Sequence, residues 1–210
     1  IMPGHYPLRA FESGKLTMMD NQTVGIALVG CGTVGGAVAK LLLRDGDLLS
    51  RRSGLTLELR HLVDKDLSIA RDVGVPEAIC SDSLASVIAD DDTHIVIGLI
   101  GGEGLAKQCV QRALQAGKSV VTANKALLAK HGAELFALAR ANGACIAFEG
   151  SCVGGVPVIG SLLGGLIAND VDALFGIVNG TCNYILSNMS QRGCDYDDVL
   201  AEAQAAGLAE

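Results

Sequence analysis

The chain has 210 residues, of which 50% are apolar and only 3% aromatic, and it carries a formal net charge of −7. This length suits one domain and part of a second. An apolar fraction with so few aromatic residues is typical of parallel sheets covered by helices. The acidic balance and the lack of a basic run argue against nucleic acid as a partner. No apolar stretch reaches the roughly 18 residues of a membrane span, so no membrane segment is predicted.

The seven cysteines predict a reducing environment. Their number is odd, none forms a C-x-x-C pair, and they lie in apolar runs or glycine-rich turns. This pattern is not that of a disulfide framework, so we expect free thiols and a cytoplasmic protein. The four histidines are scattered along the chain and do not indicate a metal site.

Strand and helix patterns alternate from Val24 onward. Residues 1–23 show no sustained periodicity and are interrupted by proline and glycine, so we interpret them as an extension outside the fold. The alternation predicts an α/β fold, with a Rossmann-like doubly wound parallel sheet over residues 24–149. A change of composition near Glu149 indicates a second, partial domain over residues 150–210.

A glycine pattern joins the first strand to the first helix. The apolar run Val24–Val29 predicts a buried strand, and a helical periodicity follows from about Val34 to Leu49. Between them lies a G-x-G-x-x-G sequence. Its glycines allow the tight turn, the close approach of a pyrophosphate and the packing of helix on strand. The residues that this pattern predicts to hold the cofactor's phosphates are Gly30, Gly32 and Gly35.

The second strand, Leu55–Val63, ends where a dinucleotide fold contacts the adenosine ribose. An acidic residue there binds the 2′-hydroxyl of NAD, whereas a basic residue accommodates the 2′-phosphate of NADP. Asp64 favours NAD, while Lys65 and Arg71 favour NADP. The sequence leaves both cofactors open, with NADP slightly favoured.

Four further elements lead to a second glycine-containing loop. They are a short strand, a helix, a polar turn and a strongly apolar strand, at Ala78–Cys80, Ser83–Ala89, Asp90–Asp92 and His94–Ile100. Loops at the carboxyl ends of strands face the ligand in a doubly wound sheet. We therefore expect Gly101 and Gly102 to contact the cofactor.

Lys125 follows the next strand at the predicted rim of the ligand crevice. The periodicity predicts helix Leu105–Ala116, strand Ser119–Thr122, helix Lys130–Asn142 and strand Ala144–Phe148. Beyond Glu149, small residues in a loop suit backbone carbonyl ligation of a cation. The remaining predictions are helix Pro157–Ala168, strand Asp172–Val178, a helix opened by Asn179, and helix Tyr196–Ala206.

Four segments together resemble homoserine dehydrogenase. They are Leu99–Gly102, Val120–Ala129, Gly176–Leu186 and the opening of a longer motif at Ala203–Glu210. The resemblance covers about Val24 to Glu210. It implies an NAD(P)-dependent oxidoreductase that interconverts L-homoserine and L-aspartate 4-semialdehyde, a step toward threonine, methionine and isoleucine.

The resemblance also implies a role for particular residues, and it adds Thr33 and Val34 to those that hold the pyrophosphate. Lys125 lies at the reacting centre and beside the cofactor, and residues 150–210 begin a substrate and dimerisation domain, which implies a homodimer. The residues implied to line the substrate pocket are Asn179, Gly180, Thr181 and Glu210. The residues implied to hold a monovalent cation, Na⁺ or K⁺, are Glu149, Cys152, Gly154 and Val156.

Three departures from the family pattern affect these expectations. The motif that opens at Ala203 usually continues to two aspartates and a second lysine, the main proton donor, which these 210 residues do not contain. We therefore expect little or no turnover from this chain alone, and a non-catalytic dinucleotide-binding fragment is the alternative. Gly98 stands where the family has glutamate, and Val153 replaces a glycine of the cation loop. A further rival is a semialdehyde enzyme with Cys152 or Cys182 as nucleophile.

Overall fold

The computed structural model describes residues 22–209, so Glu210 and almost all of the predicted extension lie outside the described residues. The strands are β1 Gln22–Val29, β2 Leu55–Val63, β3 Cys80–Ser81, β4 Thr93–Gly98, β5 Ser119–Thr122 and β6 Ile146–Ala147. The helices are α1 Thr33–Ser53, α2 Ser68–Asp72, α3 Leu84–Ala89, α4 Gly104–Gln115, α5 Lys125–Ala141, α6 Val158–Gly160, α7 Gly180–Arg192 and α8 Tyr196–Ala205.

The strand order is β3-β2-β1-β4-β5-β6. The pairs β1–β2, β2–β3 and β5–β6 are parallel, and helices connect the strands. The order reverses direction after β1, as in doubly wound dinucleotide-binding folds. The predicted fold class is therefore confirmed. None of the helices in the described part of the chain combines the length and hydrophobicity that a membrane crossing requires.

The chain divides into two compact units between Ile95 and Val96. In the first unit, β1 and β2 pair in register up to Ile26, where a bulge leaves Arg60 without a partner on β1. Successive strand residues ordinarily face opposite sides of a sheet. The bulge changes this alternation, and both Arg60 and His61 reach the carboxylate of Asp90.

Asp90 is the centre of a polar network that the sequence did not reveal. Its carboxylate accepts hydrogen bonds from Arg60 Nε at 2.9 Å, His61 Nε2 at 2.8 Å, Thr93 Oγ1 at 2.9 Å and the backbone N–H of Asp92 at 3.1 Å. The Arg60 hydrogen bond, supported by His61 and Thr93, holds the pKa of the Asp90 carboxyl well below its usual range. The network thereby fixes the turn before β4 to strand β2.

Replacing Asp90 with asparagine is expected to lower the free energy of unfolding by about 2 kcal/mol at neutral pH, because hydrogen bonds to a charged group contribute about 1.5–3 kcal/mol. The folded-state pKa is depressed, so this stabilisation is present above the unfolded pKa of about 3.9 and is lost as the pH falls below it. Urea unfolding at neutral and acidic pH measures both effects. Asp91→Asn at the exposed neighbouring residue is the control. An equal Asp90→Asn effect at both pH values would contradict the assigned ionisation.

In the second unit, α4 and α5 pack side by side and are joined by polar contacts. Glu134 accepts from Lys107 Nζ at 3.0 Å and from Gln111 Nε2 at 2.8 Å. The core beneath them includes Leu114, Leu127 and other side chains that are fully buried. A separate apolar cluster of Ile185, Val199 and Ala203 packs α7 against α8.

Three predicted elements of this unit are wrong in extent or type. Helix α5 begins at Lys125 rather than Lys130, because Asn124 caps it earlier. The helix predicted over Pro157–Ala168 is reduced to α6 and a π-helical turn at Ser161–Gly165, and three residues of the predicted range are glycine. The predicted strand Asp172–Val178 is not formed. No other strand of the described chain pairs with it, and a strand needs such a partner.

The segment around the missing strand leaves large apolar side chains exposed. Phe175 is 92% exposed, and Ile167, Leu174, Ile177 and Val178 are each at least 60% exposed. These residues follow the apolar pattern of a buried strand. The strand that this pattern predicted is therefore wrong for the described residues, which leave these apolar side chains uncovered.

Candidate functional site

The glycine loop of the first unit makes a tight turn between β1 and α1. Gly30 adopts φ +98°, and its N–H donates to the carbonyl of Val63 at 2.9 Å. A Cβ on Gly35 would lie 2.0 Å from the carbonyl oxygen of Gly30, so only glycine allows helix α1 to approach β1 this closely. The sequence assigned these two glycines to the turn and to the packing, and the geometry agrees with both roles.

Gly32 has open space at the position where a Cβ would lie. Among the described residues, no heavy atom outside its two chain neighbours lies within 4 Å of that position, and its φ of −74° is allowed for any residue. Gly32 caps the amino terminus of α1, which has no side-chain cap, and Thr33 and Val34 beside it are exposed. The first N–H groups of α1 are thus available to an anion.

Asp64 is bound to the same loop. One carboxylate oxygen accepts from the backbone N–H of Cys31, and the other accepts from the N–H of Asp66 at 3.1 Å. Both carboxylate oxygens of Asp64 therefore accept hydrogen bonds from the backbone, while the side chain of Lys65 is exposed. Burial raises the pKa of the Cys31 thiol, and the Asp64 charge raises it further, so this cysteine stays protonated.

Lys125 occupies the first residue of α5 in the second unit. Asn124 caps this helix, its Oδ1 accepting from the N–H of Leu127 at 2.9 Å. A cation at a helix amino terminus meets the positive end of the helix dipole, a cost of about 0.3–1 kcal/mol. A lysine that violates this local preference is a candidate for a functional role.

One cavity of this unit brings together two residues that the sequence singled out separately. Its volume is about 430 Å³, and it is lined by Lys125, Thr181, Gly207, Leu208 and Ala209. Thr181 lies in the first turn of α7, and its hydroxyl donates to the carbonyl of Leu208. The segment after α8 therefore packs over the start of α7. The sequence did not predict the three residues that this segment contributes to the cavity, Gly207, Leu208 and Ala209.

The other predicted pocket residues lie at the same helix terminus. Asn179 is the N-cap of α7, and its Oδ1 accepts from the N–H of Cys182 at 2.8 Å. Gly180 is the first helical residue, and outside its own helix and its chain neighbours no heavy atom of residues 22–209 lies within 4 Å of the position of its Cβ. The carboxamide oxygen of Asn179 is thus used by the helix, which leaves its NH₂ group for other contacts.

Glu149 opens the loop that the sequence assigned to a cation. Its carboxylate accepts from the N–H groups of Ile159 at 2.9 Å and Gly160 at 2.7 Å, at the start of α6. Val153 adopts φ +41°, and it is the only non-glycine residue of the described chain with positive φ. The backbone at residue 153 is therefore left-handed, a conformation that the β-branched side chain of Val153 disfavours.

Replacing Val153 with glycine is expected to raise the free energy of unfolding by about 1 kcal/mol. The substitution removes left-handed strain of about 1–3 kcal/mol, and the extra flexibility of glycine in the unfolded chain offsets part of this gain. Val156→Gly, in the same loop at an exposed side chain, is the control and is expected to destabilise. Thermal unfolding measures both variants. A destabilised Val153→Gly protein would show that the loop depends on the valine side chain.

The fold and the glycine loop define a protein of the dinucleotide-binding α/β class. The family model described as the NAD-binding domain of homoserine dehydrogenase matches residues 30–149. The model described as homoserine dehydrogenase matches residues 157–210. The chain belongs to the homoserine dehydrogenase family.

Curated relatives and solved structures agree with this assignment. A homoserine dehydrogenase of Corynebacterium glutamicum is 46% identical over 201 residues, which is 96% of this chain and 44% of that protein. The crystal structure of a homoserine dehydrogenase from Thiobacillus denitrificans has a TM-score of 0.80 at 41% identity, and the match covers 90% of this chain and 44% of that one. A hyperthermophilic archaeal homoserine dehydrogenase mutant in complex with NADPH has a TM-score of 0.72 at 27% identity over 90% of this chain. The chain thus spans under half the length of the curated relatives it matches.

Proposed function

We propose that the protein containing this chain is an NAD(P)-dependent homoserine dehydrogenase that interconverts L-homoserine and L-aspartate 4-semialdehyde. Such a reaction belongs to the biosynthesis of threonine, methionine and isoleucine. The observation that carries the proposal is the cavity that Lys125 and Thr181 both line. These residues come from two sequence motifs that the family resemblance identified independently, and they lie about 55 residues apart along the chain.

The proposed cofactor is NADP(H), held through the first unit. The N–H groups at the start of α1 bind the pyrophosphate beside Gly32, where the backbone is open. Both oxygens of Asp64 already accept backbone N–H groups, so this carboxylate discriminates less against a 2′-phosphate than a free one would. The exposed Lys65 next to it supplies a complementary charge. Gly101 and Gly102 are proposed to contact the same cofactor.

The residues of the cavity suit carbonyl reduction. When bound, the nicotinamide supplies or accepts the hydride. The Lys125 ammonium stabilises the alkoxide that forms at the substrate oxygen and takes part in its protonation, while the family assigns the main proton transfer to a second lysine that these 210 residues do not contain. Thr181, the N–H of Gly180 and the NH₂ group of Asn179 orient the substrate. Glu210, outside the described residues, is proposed to hold the substrate's ammonium group.

A monovalent cation, Na⁺ or K⁺, is proposed at the loop that follows Glu149. The donor set fits this chemistry, since the carboxylate oxygens of Glu149 keep unused lone pairs and the backbone carbonyls of Cys152, Gly154 and Val156 are hard oxygen ligands. Bound there, the cation would fix the loop by charge. The described residues contain no cluster of three His, Cys, Asp or Glu side chains that could hold a metal ion.

The protein is further proposed to be a cytoplasmic homodimer. All seven cysteines are free, which is compatible with a reducing compartment. The exposed apolar side chains of the segment around Phe175 are of the kind that an interface covers.

The described histidines weigh against the rival mechanism with a cysteine nucleophile. His61 contacts Asp90, His94 accepts from the N–H of Gly25, and His131 contacts Lys107. Cys152 contacts the hydroxyl of Ser151. Each histidine of the described chain is therefore engaged away from the candidate thiols, so none is in place to activate them.

The test is an intact mass of the natural protein, followed by NADP⁺ reduction with L-homoserine on the same sample, and with L-serine and L-threonine as controls. Turnover that is specific for homoserine supports the proposal. A mass well above 21.5 kDa in that sample would add that these residues act within a longer enzyme. Cofactor binding without turnover in a protein of 21.5 kDa would instead favour the alternative of a non-catalytic fragment.

A further inference from the structure

Asn124 uses every hydrogen-bonding group that its side chain has. Its Oδ1 accepts from the N–H of Leu127 at 2.9 Å, while its Nδ2 donates to the carbonyls of Ile100 at 3.2 Å and Gly102 at 2.6 Å. Its own N–H donates to the hydroxyl of Thr122 at 3.2 Å. One side chain thereby joins the loop after β4 to the first turn of α5.

We propose that Asn124 is a positioning residue that fixes the loop of Gly101 and Gly102 relative to Lys125. The inference rests on the proposed function, which assigns the loop to the cofactor and the lysine to the substrate oxygen. The new element is Asn124, whose hydrogen bonds connect this loop to the helix that begins at Lys125. Hydride transfer requires the cofactor and the proton donor to hold one mutual geometry, and small displacements at such a site reduce the rate strongly.

The loop has few other means of being fixed. Gly101 and Gly102 carry no side chains and are exposed, and Gly102 adopts φ +74°. Among the described residues, this loop is also connected to α5 by the ion pair of Glu103 with Lys130 at 2.6 Å, whose side chains are 43% and 61% exposed. Exposed ion pairs contribute little rigidity or stability. The two Nδ2 hydrogen bonds of Asn124 therefore dominate the attachment.

The chemistry of asparagine allows its two roles to be separated. Aspartate and serine both cap helices as well as asparagine does. Neither has an amide NH₂ group, so neither can donate to the two carbonyls at once. Aspartate also places a carboxylate against the carbonyl oxygens of Ile100 and Gly102. The variants Asn124→Asp and Asn124→Ser thus keep the cap of α5 and remove the loop attachment.

The experiment compares these variants with Asn142→Ala, at the other end of the same helix. Within the described part of the chain, Asn142 Nδ2 donates to the carbonyl of Leu138 at 2.9 Å and does not contact the loop of Gly101 and Gly102. Steady-state kinetics with homoserine, NADPH fluorescence titration and thermal unfolding are measured for all three variants. For Asn124→Ser and Asn124→Asp we expect kcat to fall about 10- to 100-fold, the KM for homoserine to change little, and the unfolding midpoint to stay near wild type. Asn142→Ala is expected to keep the wild-type kcat.

The outcomes separate this inference from the proposed function. If the wild type oxidises homoserine and both Asn124 variants retain its kcat, the inference is wrong while the proposed function stands. If the natural protein that contains this chain has no homoserine-dependent turnover, the proposed function fails, and the NADPH titration decides the inference. Weaker NADPH binding in Asn124→Ser, with an unchanged unfolding midpoint, then supports loop positioning, and unchanged binding refutes it.

Discussion

Substituting Lys125 by methionine is expected to lower the kcat for homoserine oxidation by about 10²–10⁴-fold, the range for loss of a proton-transfer group. Methionine keeps the length of the side chain and forms helices well. It also removes a positive charge from the amino terminus of α5, where that charge costs about 0.3–1 kcal/mol. The variant should therefore be as stable as the wild type, or slightly more stable, while its turnover is almost lost.

The measurement is initial-rate kinetics in a preparation that gives homoserine-dependent turnover, together with thermal unfolding. Lys40→Met is the matched control, since Lys40 is an exposed lysine of α1 in the other unit. It should leave kcat unchanged. A Lys125→Met protein with nearly wild-type kcat would show that another group transfers the proton and that Lys125 is a surface lysine.

Substituting Gly32 by alanine is expected to weaken NADPH binding by about 10- to 100-fold without destabilising the protein. The methyl group would enter space that is empty in the structure, and the backbone angle of Gly32 is allowed for alanine. It would occupy the place where a pyrophosphate approaches the N–H groups of α1. The loss of one or two hydrogen bonds to a charged group accounts for the magnitude.

Two other glycines provide the controls for this prediction. Gly46→Ala lies within α1, has no atom within 4 Å of its new Cβ, and should raise helix stability without changing NADPH affinity. Gly35→Ala forces its Cβ against the carbonyl of Gly30 and should destabilise the fold itself. Fluorescence titration and urea unfolding separate the three effects. If Gly32→Ala binds NADPH as the wild type does, the phosphates do not bind at this position.

Much of the fold could be predicted from local pattern, because buried parallel strands and amphipathic helices leave strong periodic signals. The glycine loop was equally predictable, since the requirements at Gly30 and Gly35 are local steric ones. The early start of α5 could have been predicted too. Asn124 is a typical N-cap residue, and its place shortly after the strand Ser119–Thr122 indicates a helix that starts at Lys125.

Other features depend on contacts that no local pattern contains. Asp90 looked like one of three acidic residues in a turn, and only the bulge at Arg60 brings its partners together. The strand predicted over Asp172–Val178 needs a neighbouring strand, which is a tertiary condition. The placement of Lys125 and Thr181 in the lining of one cavity likewise depends on how α7 and the segment after α8 fold back. The family resemblance supplied their shared role, but spacing in the sequence did not.

The most direct test of the account is an equilibrium titration of this chain with NADPH and with NADH, followed by the fluorescence of the reduced nicotinamide. The central claim is that the loop at Gly30–Gly35 is a dinucleotide site, with Asp64 engaged by the backbone and Lys65 free to meet a 2′-phosphate. The account predicts saturable binding of both cofactors, with NADPH binding more tightly. A failure of both to bind a folded chain would contradict it.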